Sequence, residues 1–136
     1  MKKYILDASI FLKAILNEDE KEARLVEKVF LEVSKKKAIV YAPTFILLEF
    51  TNGLRFSLND ESLVILSLEK FFQLPIELFS FKTIHVKEIL KLSFRLQTTV
   101  YDTAYHFLAK LLNGIFLTAD EEYFKKAKRL GDIVLA

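Results

Sequence analysis

Four carboxylates in this chain stand in surroundings that are wrong for ordinary solvated charges. Asp7 follows Tyr4-Ile5-Leu6 and precedes Ala8-Ser9-Ile10-Phe11, and Glu49 lies inside Phe45-Ile46-Leu47-Leu48-Glu49-Phe50. Asp102 falls within Thr98-Thr99-Val100-Tyr101-Asp102-Thr103-Ala104, and Asp120 closes Phe116-Leu117-Thr118-Ala119. A charge in such sequence faces either the core or a cleft, and burying it unpaired is expensive. Each of the three Asp residues, taken singly, also reads as a helix cap or a first-turn residue that complements the helix dipole. Glu49 lacks that explanation, and no basic residue lies within one turn of it. Should three or four of these groups converge, their mutual repulsion demands a compensating cation. All-oxygen donors, with no Cys and only two His in the chain, point to Mg²⁺ or Mn²⁺ rather than Zn²⁺.

The elements that must position these acids alternate between two periodicities. Short apolar runs predict strands at Lys3–Leu6, Ala38–Tyr41, Pro75–Leu78, Ile115–Thr118 and Ile133–Leu135. Between them, helical spacing predicts Ser9–Leu16, Glu18–Lys37 and, with Pro43 in its first turn, a helix to about Phe56. Further helices are predicted from an Asn59 or Asp60 cap to Gln73, over Lys82–Gln97, from a Thr98 or Thr99 cap to Leu112, and over Glu121–Arg129. Asn113-Gly114 and Gly131 stop the last two. Alternating strands and helices imply a parallel sheet of about five strands covered by helices on both faces, an α/β fold. The strands are apolar throughout, as a sheet buried on both sides requires. Asp7 and Asp120 both stand at strand ends, where such a sheet builds its ligand site.

Composition narrows the class. The 136 residues fit one domain spanning 1–136, and 52% hydrophobic content with thirteen Phe supports a core without disulfides. The absence of Cys removes thiol nucleophiles and suits a reducing cytosol. Asp7 interrupts the N-terminus too early for a secretory signal, and no apolar run is long enough to span a bilayer, so a cytoplasmic protein without a membrane partner is expected. A net charge of +2 neither demands nor excludes nucleic acid. Lys35-Lys36-Lys37 and Lys125-Lys126-Lys128-Arg129 read first as solvated helix ends.

An N-terminal strand entering Asp7-Ala8-Ser9, Glu49 within an apolar helix, Asp102 opening another, and Leu117-Thr118-Ala119-Asp120 followed by Tyr123 form an ordered set. In that order and spacing, over essentially the whole chain, the sequence resembles the PIN domain family; its length is similar to that of the VapC-type toxins of toxin–antitoxin pairs. The resemblance implies a parallel sheet flanked by helices, with Asp7, Glu49, Asp102 and Asp120 matching the family's acidic metal site. Ser9 matches the small hydroxyl residue after the first Asp, and Thr118 matches the hydroxyl position before the last. Asn52, one turn beyond Glu49, is expected either to support the site through hydrogen bonds or to stand exposed on the groove rim.

The resemblance further implies a Mg²⁺- or Mn²⁺-dependent endoribonuclease that hydrolyses RNA with metal-activated water. Asp7 and Asp102 are expected as direct ligands, with Glu49 and Asp120 acting directly or through water. The implied partners are RNA, a cognate antitoxin protein and a second copy in a homodimer. Lys13, Arg55, Arg95 and the two basic clusters are candidates for holding the RNA backbone.

Other classes fit less well. A catalytically silent PIN-fold scaffold would have lost one or more acids, and all four are present. Haloacid-dehalogenase-type phosphatases need an Asp where Ser9 stands, and receiver domains need an acceptor Asp where the third strand offers only Glu77. His106, four residues after Asp102, could reach the cleft but reads better as a satisfied core or surface histidine. Tyr101 reads as packing, with RNA stacking as the alternative.

Overall fold

Five parallel strands form one sheet: β1 (Lys2–Leu6), β2 (Ala38–Pro43), β3 (Ile76–Phe79), β4 (Ile115–Thr118) and β5 (Ile133–Leu135). The computed structural model describes residues 1–16 and 20–136. Among the described residues seven α-helices connect the strands: α1 (Ala8–Ile15), α2 (Glu20–Ser34), α3 (Ile46–Ser57), α4 (Glu61–Phe72), α5 (Thr83–Leu96), α6 (Val100–Leu112) and α7 (Glu121–Ala127), the last followed by a 3₁₀ turn at Lys128–Leu130. None of the described helices is long and apolar enough to cross a membrane.

The strand order is β3-β2-β1-β4-β5. Chain order therefore reverses between β1 and β4, which pair through Tyr4 with Ile115, Ile5 with Phe116 and Leu6 with Leu117. Right-handed crossovers then place α1 to α4 over one face and α5 to α7 over the other. The packing agrees: α1 touches α2, α3 and α4, whereas α6 lies against β1, β2 and β4. On the first face Phe50 stacks on Phe71 with centroids 4.0 Å apart, and Phe11 meets the same ring edge-on. Across the sheet Tyr105 lies parallel to Phe116 at 6.0 Å. Gly114 lets the chain enter β4, since a Cβ there would come within 2.6 Å of the Lys3 carbonyl oxygen.

Several expectations change. Pro43 ends β2 instead of opening a helix: it pairs with Phe79, and the Thr44 amide donates to the Phe79 carbonyl. A proline at a strand end forfeits little of the ladder, and α3 starts only at Ile46. The predicted start of the second helix at Glu18 lies outside the described residues, and that helix ends at Ser34 rather than Lys37. Lys36 adopts φ 60°, while the Lys36 and Lys37 amides bond back to Val33 and Glu32, a left-handed C-terminal stop. Burial on both faces holds for the central strands, whereas the edge strands β3 and β5 are largely exposed. The final helix stops at Ala127, and Lys128-Arg129 turn as 3₁₀.

Candidate active site

Asp7 leaves β1 in extended conformation and caps α1, its Oδ1 accepting from the Ile10 amide at 3.1 Å and from the Ser9 hydroxyl at 2.6 Å. The Thr118 hydroxyl donates to Oδ2 at 3.2 Å. Only 7% of Asp7 is exposed. Burial pushes its carboxyl above the ordinary range, the three hydrogen bonds pull the other way, and the nearby Asp102 charge adds to the rise. Thr118, fully buried at the end of β4, also accepts from the Asp120 amide at 3.1 Å. One hydroxyl therefore ties the ends of β1 and β4 together at the point where strand order reverses.

Asp120 caps α7, accepting from the Tyr123 amide at 2.9 Å. Asp102 lies in the first turn of α6, and its amide donates to the capping hydroxyl of Thr99 at 3.1 Å. Burial raises its carboxyl, the Thr99 hydroxyl opposes that rise, and the Asp120 charge adds to it. Glu49, in the first turn of α3, accepts from the Tyr105 hydroxyl at 2.8 Å. Burial raises Glu49 as well; the tyrosine bond opposes the rise, and Asp7 and Asp102 reinforce it. Asp7, Glu49 and Asp102 thus each feel at least one other acid of the set.

None of the four belongs to an ion pair formed by the described residues. Their donors are carboxylate oxygens only, a set that fits a hard divalent ion. As the side chains stand, no three of the described His, Asp or Glu residues are close enough to enclose an ion. Beside Asp102 and Asp120 runs an open groove of about 250 Å³, walled further by Gln97, Thr98, Thr99, Glu122, Tyr123 and Lys126.

Asn52 is exposed, in line with the equally exposed Leu48 and Phe56 on α3, and no hydrogen bond joins it to Glu49. Tyr101 packs edge-on against Phe45 at 5.1 Å yet remains 60% exposed. His106 is fully buried: its Nε2 donates to the Gly131 carbonyl at 2.7 Å, which leaves Nδ1 to accept from the Tyr123 hydroxyl at 2.9 Å. His85 accepts the Lys82 amide at the start of α5. The Lys35–Lys37 cluster lies at the opposite end of the sheet, where the Lys37 carbonyl accepts from the Lys2 amide. Sequence reasoning missed Tyr105, whose only available signal was a hydroxyl inside an apolar helix stripe that needed a partner.

The PIN domain profile matches residues 4–130. The chain belongs to the PIN domain family. No curated relative matches it by sequence. Among solved structures, this PIN domain is similar to a chain of DNA-bound VapBC from Salmonella typhimurium, with 20% identity, TM-score 0.69, and coverage of 100% of this chain and 98% of that one. A chain of VapBC2 from Rickettsia felis, bound to a DNA fragment from its promoter, gives 17% identity, TM-score 0.68, and 98% and 97% coverage. PAE2754 from Pyrobaculum aerophilum gives 19%, 0.68, and 97% and 83%. At these identities the likeness establishes the fold.

Proposed function

We propose that this PIN domain is a divalent-metal-dependent endoribonuclease and the toxin of a toxin–antitoxin pair. The observation that carries the reading is a chain of carboxylates on separate elements, in which Asp7 and Asp102 act on Glu49, Asp102 on Asp7 and Asp120 on Asp102, with no cation among the described residues paired to them. A metal ion bound there would supply an acidified water and charge neutralisation for the phosphate oxygens. Asp7 and Asp102 would hold it, with Glu49 and Asp120 contributing directly or through water. Ser9 and Thr118 fix the Asp7 carboxylate from both sides. One of the outer acids would orient the attacking water or take its proton, a chemistry that would need no 2′-hydroxyl.

The partner half of the proposal draws on the structural neighbours, several of which come from toxin–antitoxin complexes. Exposed Leu48 and Phe56 on α3 and Phe94 on α5 offer apolar surface for a second copy or an antitoxin to cover.

Asp102→Asn tests the reading. It should keep the fold by circular dichroism and lower RNA hydrolysis at least a hundredfold, because outer and inner ligands of such sites typically carry effects of that order. Wild-type fragments should carry 5′-phosphate and 3′-hydroxyl ends by mass spectrometry, and EDTA should abolish them. Cyclic 2′,3′-phosphate ends formed in EDTA would refute it, although both nitrogens of His106 are already engaged and His85 serves a helix cap.

A further inference from the structure

At the end of the sheet opposite the acids, α2 and the amino ends of β1 and β2 enclose a second groove of about 350 Å³, lined by Lys2, Lys28, Leu31, Glu32, Lys35 and Lys37. Its described walls therefore carry four ammonium groups and one carboxylate. That carboxylate is already answered, since Glu32 lies 3.6 Å from the Lys2 ammonium and accepts from the Tyr4 hydroxyl at 3.1 Å. Lys28, Lys35 and Lys37 form no ion pair among the described residues. Lys28, Leu31, Glu32 and Lys35 follow one another at helical spacing along one side of α2. Lys37 and Lys2 enter from the strands, where the Lys2 amide donates to the Lys37 carbonyl.

The plain explanation of lysines at a helix end is that they meet its last carbonyls and its dipole. Those carbonyls are met without them. The Leu31 carbonyl accepts from the Lys35 amide and the Ser34 hydroxyl, that of Glu32 from the Lys37 amide, and that of Val33 from the Lys36 amide. The dipole left over amounts to about half an elementary charge, too little to answer three unpaired ammonium groups. A concave set of such groups complements a phosphodiester backbone, which they hold without reading its sequence. A membrane surface fits less well: Leu31 is the one apolar side chain among the described lining residues, whereas interfacial helices insert a whole apolar face. We propose that this groove is a second nucleic-acid site, which holds the RNA backbone at a distance from the cleavage point. The inference rests on the nuclease reading for the ligand being RNA. Five residues of β1 separate the groove from Asp7, roughly 17 Å at about 3.3 Å per residue, so only an RNA of several nucleotides reaches both. The remote lysines offset the repulsion between the acids and that backbone.

Binding measured without cleavage tests it. A long, unstructured, fluorescent RNA would be titrated with the Asp102→Asn protein in EDTA at several salt concentrations and read by anisotropy. Adding Lys28→Gln/Lys35→Gln/Lys37→Gln should weaken binding about tenfold and reduce the salt slope by about two, given about 0.7 per phosphate contact on a single strand. Glu32→Gln removes the one acid of the groove and should tighten binding. Lys82→Gln/Lys87→Gln, on and beside α5 and outside the groove, should change the slope by less. In parallel, acetylation mapped by mass spectrometry should slow at Lys28, Lys35 and Lys37 when RNA is present. Affinity and slope unmoved by the triple variant, or shielding of these lysines by duplex DNA or phosphatidylserine vesicles but not by RNA, would overturn the assignment and leave the nuclease reading intact. Lysine-dependent RNA binding by a protein that never cleaves RNA would instead keep the groove and remove the nuclease.

Discussion

Tyr105 sets what Glu49 can do. Its ring is clamped by Phe45 at 5.3 Å and Phe116 at 6.0 Å, and only 1% of it is exposed, so its hydroxyl holds Glu49 from a fixed direction. Burial and the Glu49 charge raise the proton affinity of that hydroxyl, which therefore acts as a permanent donor. Tyr105→Phe keeps the ring and removes the donor. Stability should fall by only about 1 kcal/mol, while the Mg²⁺ concentration that half-saturates the thermal shift should rise about tenfold, as expected when a partner orienting a ligand is lost. An unchanged Mg²⁺ titration would mean that Tyr105 serves packing alone. This contact joins residues 56 positions apart, and no local pattern announces it. The acids themselves were legible because carboxylates interrupt apolar runs at Asp7 and Glu49, a local anomaly.

At the scale of elements, caps and acids coincide. Asp7 and Asp120 are both N-caps, and Asp102 follows its own cap by three residues, so the plain explanation of these residues holds and is compatible with the functional one. Thr99→Ala removes the α6 cap and should cost about 1 kcal/mol by chemical denaturation; it should also lower activity, because the first turn of α6 carries Asp102. Gly114→Ala drives a Cβ against the Lys3 carbonyl and should destabilise by about 1–3 kcal/mol. A wild-type denaturation midpoint for either variant would contradict the geometry described. The last two strands match their predicted ranges because Asn113-Gly114 and Gly131 punctuate them. Pro43 misleads because its fixed φ suits both a first helical turn and a strand end, and distant pairing with Phe79 decides. Lys36 misleads because nothing about lysine signals a left-handed stop.

For the whole molecule, the acids set a dependence on pH and, on the proposed reading, on metal. Asp7, Glu49 and Asp102 all bind protons more tightly in the fold than in the unfolded chain. Their contribution is thus fullest below the ordinary carboxylate range near pH 4 and is lost as pH rises through their elevated values. His106, held neutral by burial, acts in the opposite sense, its contribution fading as pH falls below about 6.5. The Asp7→Asn comparison separates the two. Without metal at pH 7 the variant should melt above wild type, and the gap should close toward pH 4. Added Mg²⁺ should stabilise wild type by about 2.7 kcal/mol at a hundredfold excess over Kd and the variant by less. Equal metal shifts for both would place Asp7 outside the site.

The Thr118 hydroxyl that bonds to Asp7 spans 111 positions of sequence, and this separation bears on synthesis. A ribosome releases the N-terminal strand first, and β1 can pair with β2 well before β4 exists. The edge of β1 away from β2 stays open until residues 115–118 arrive, because β4 is its partner there and β5 follows later still. Closing so distant a contact is slow and comes late. A nascent chain stalled before Ile115 therefore carries Asp7, Glu49 and Asp102 without the strand that locks the first of them. On the proposed nuclease reading, translation itself withholds a complete acidic site until residues 115–120 have been made.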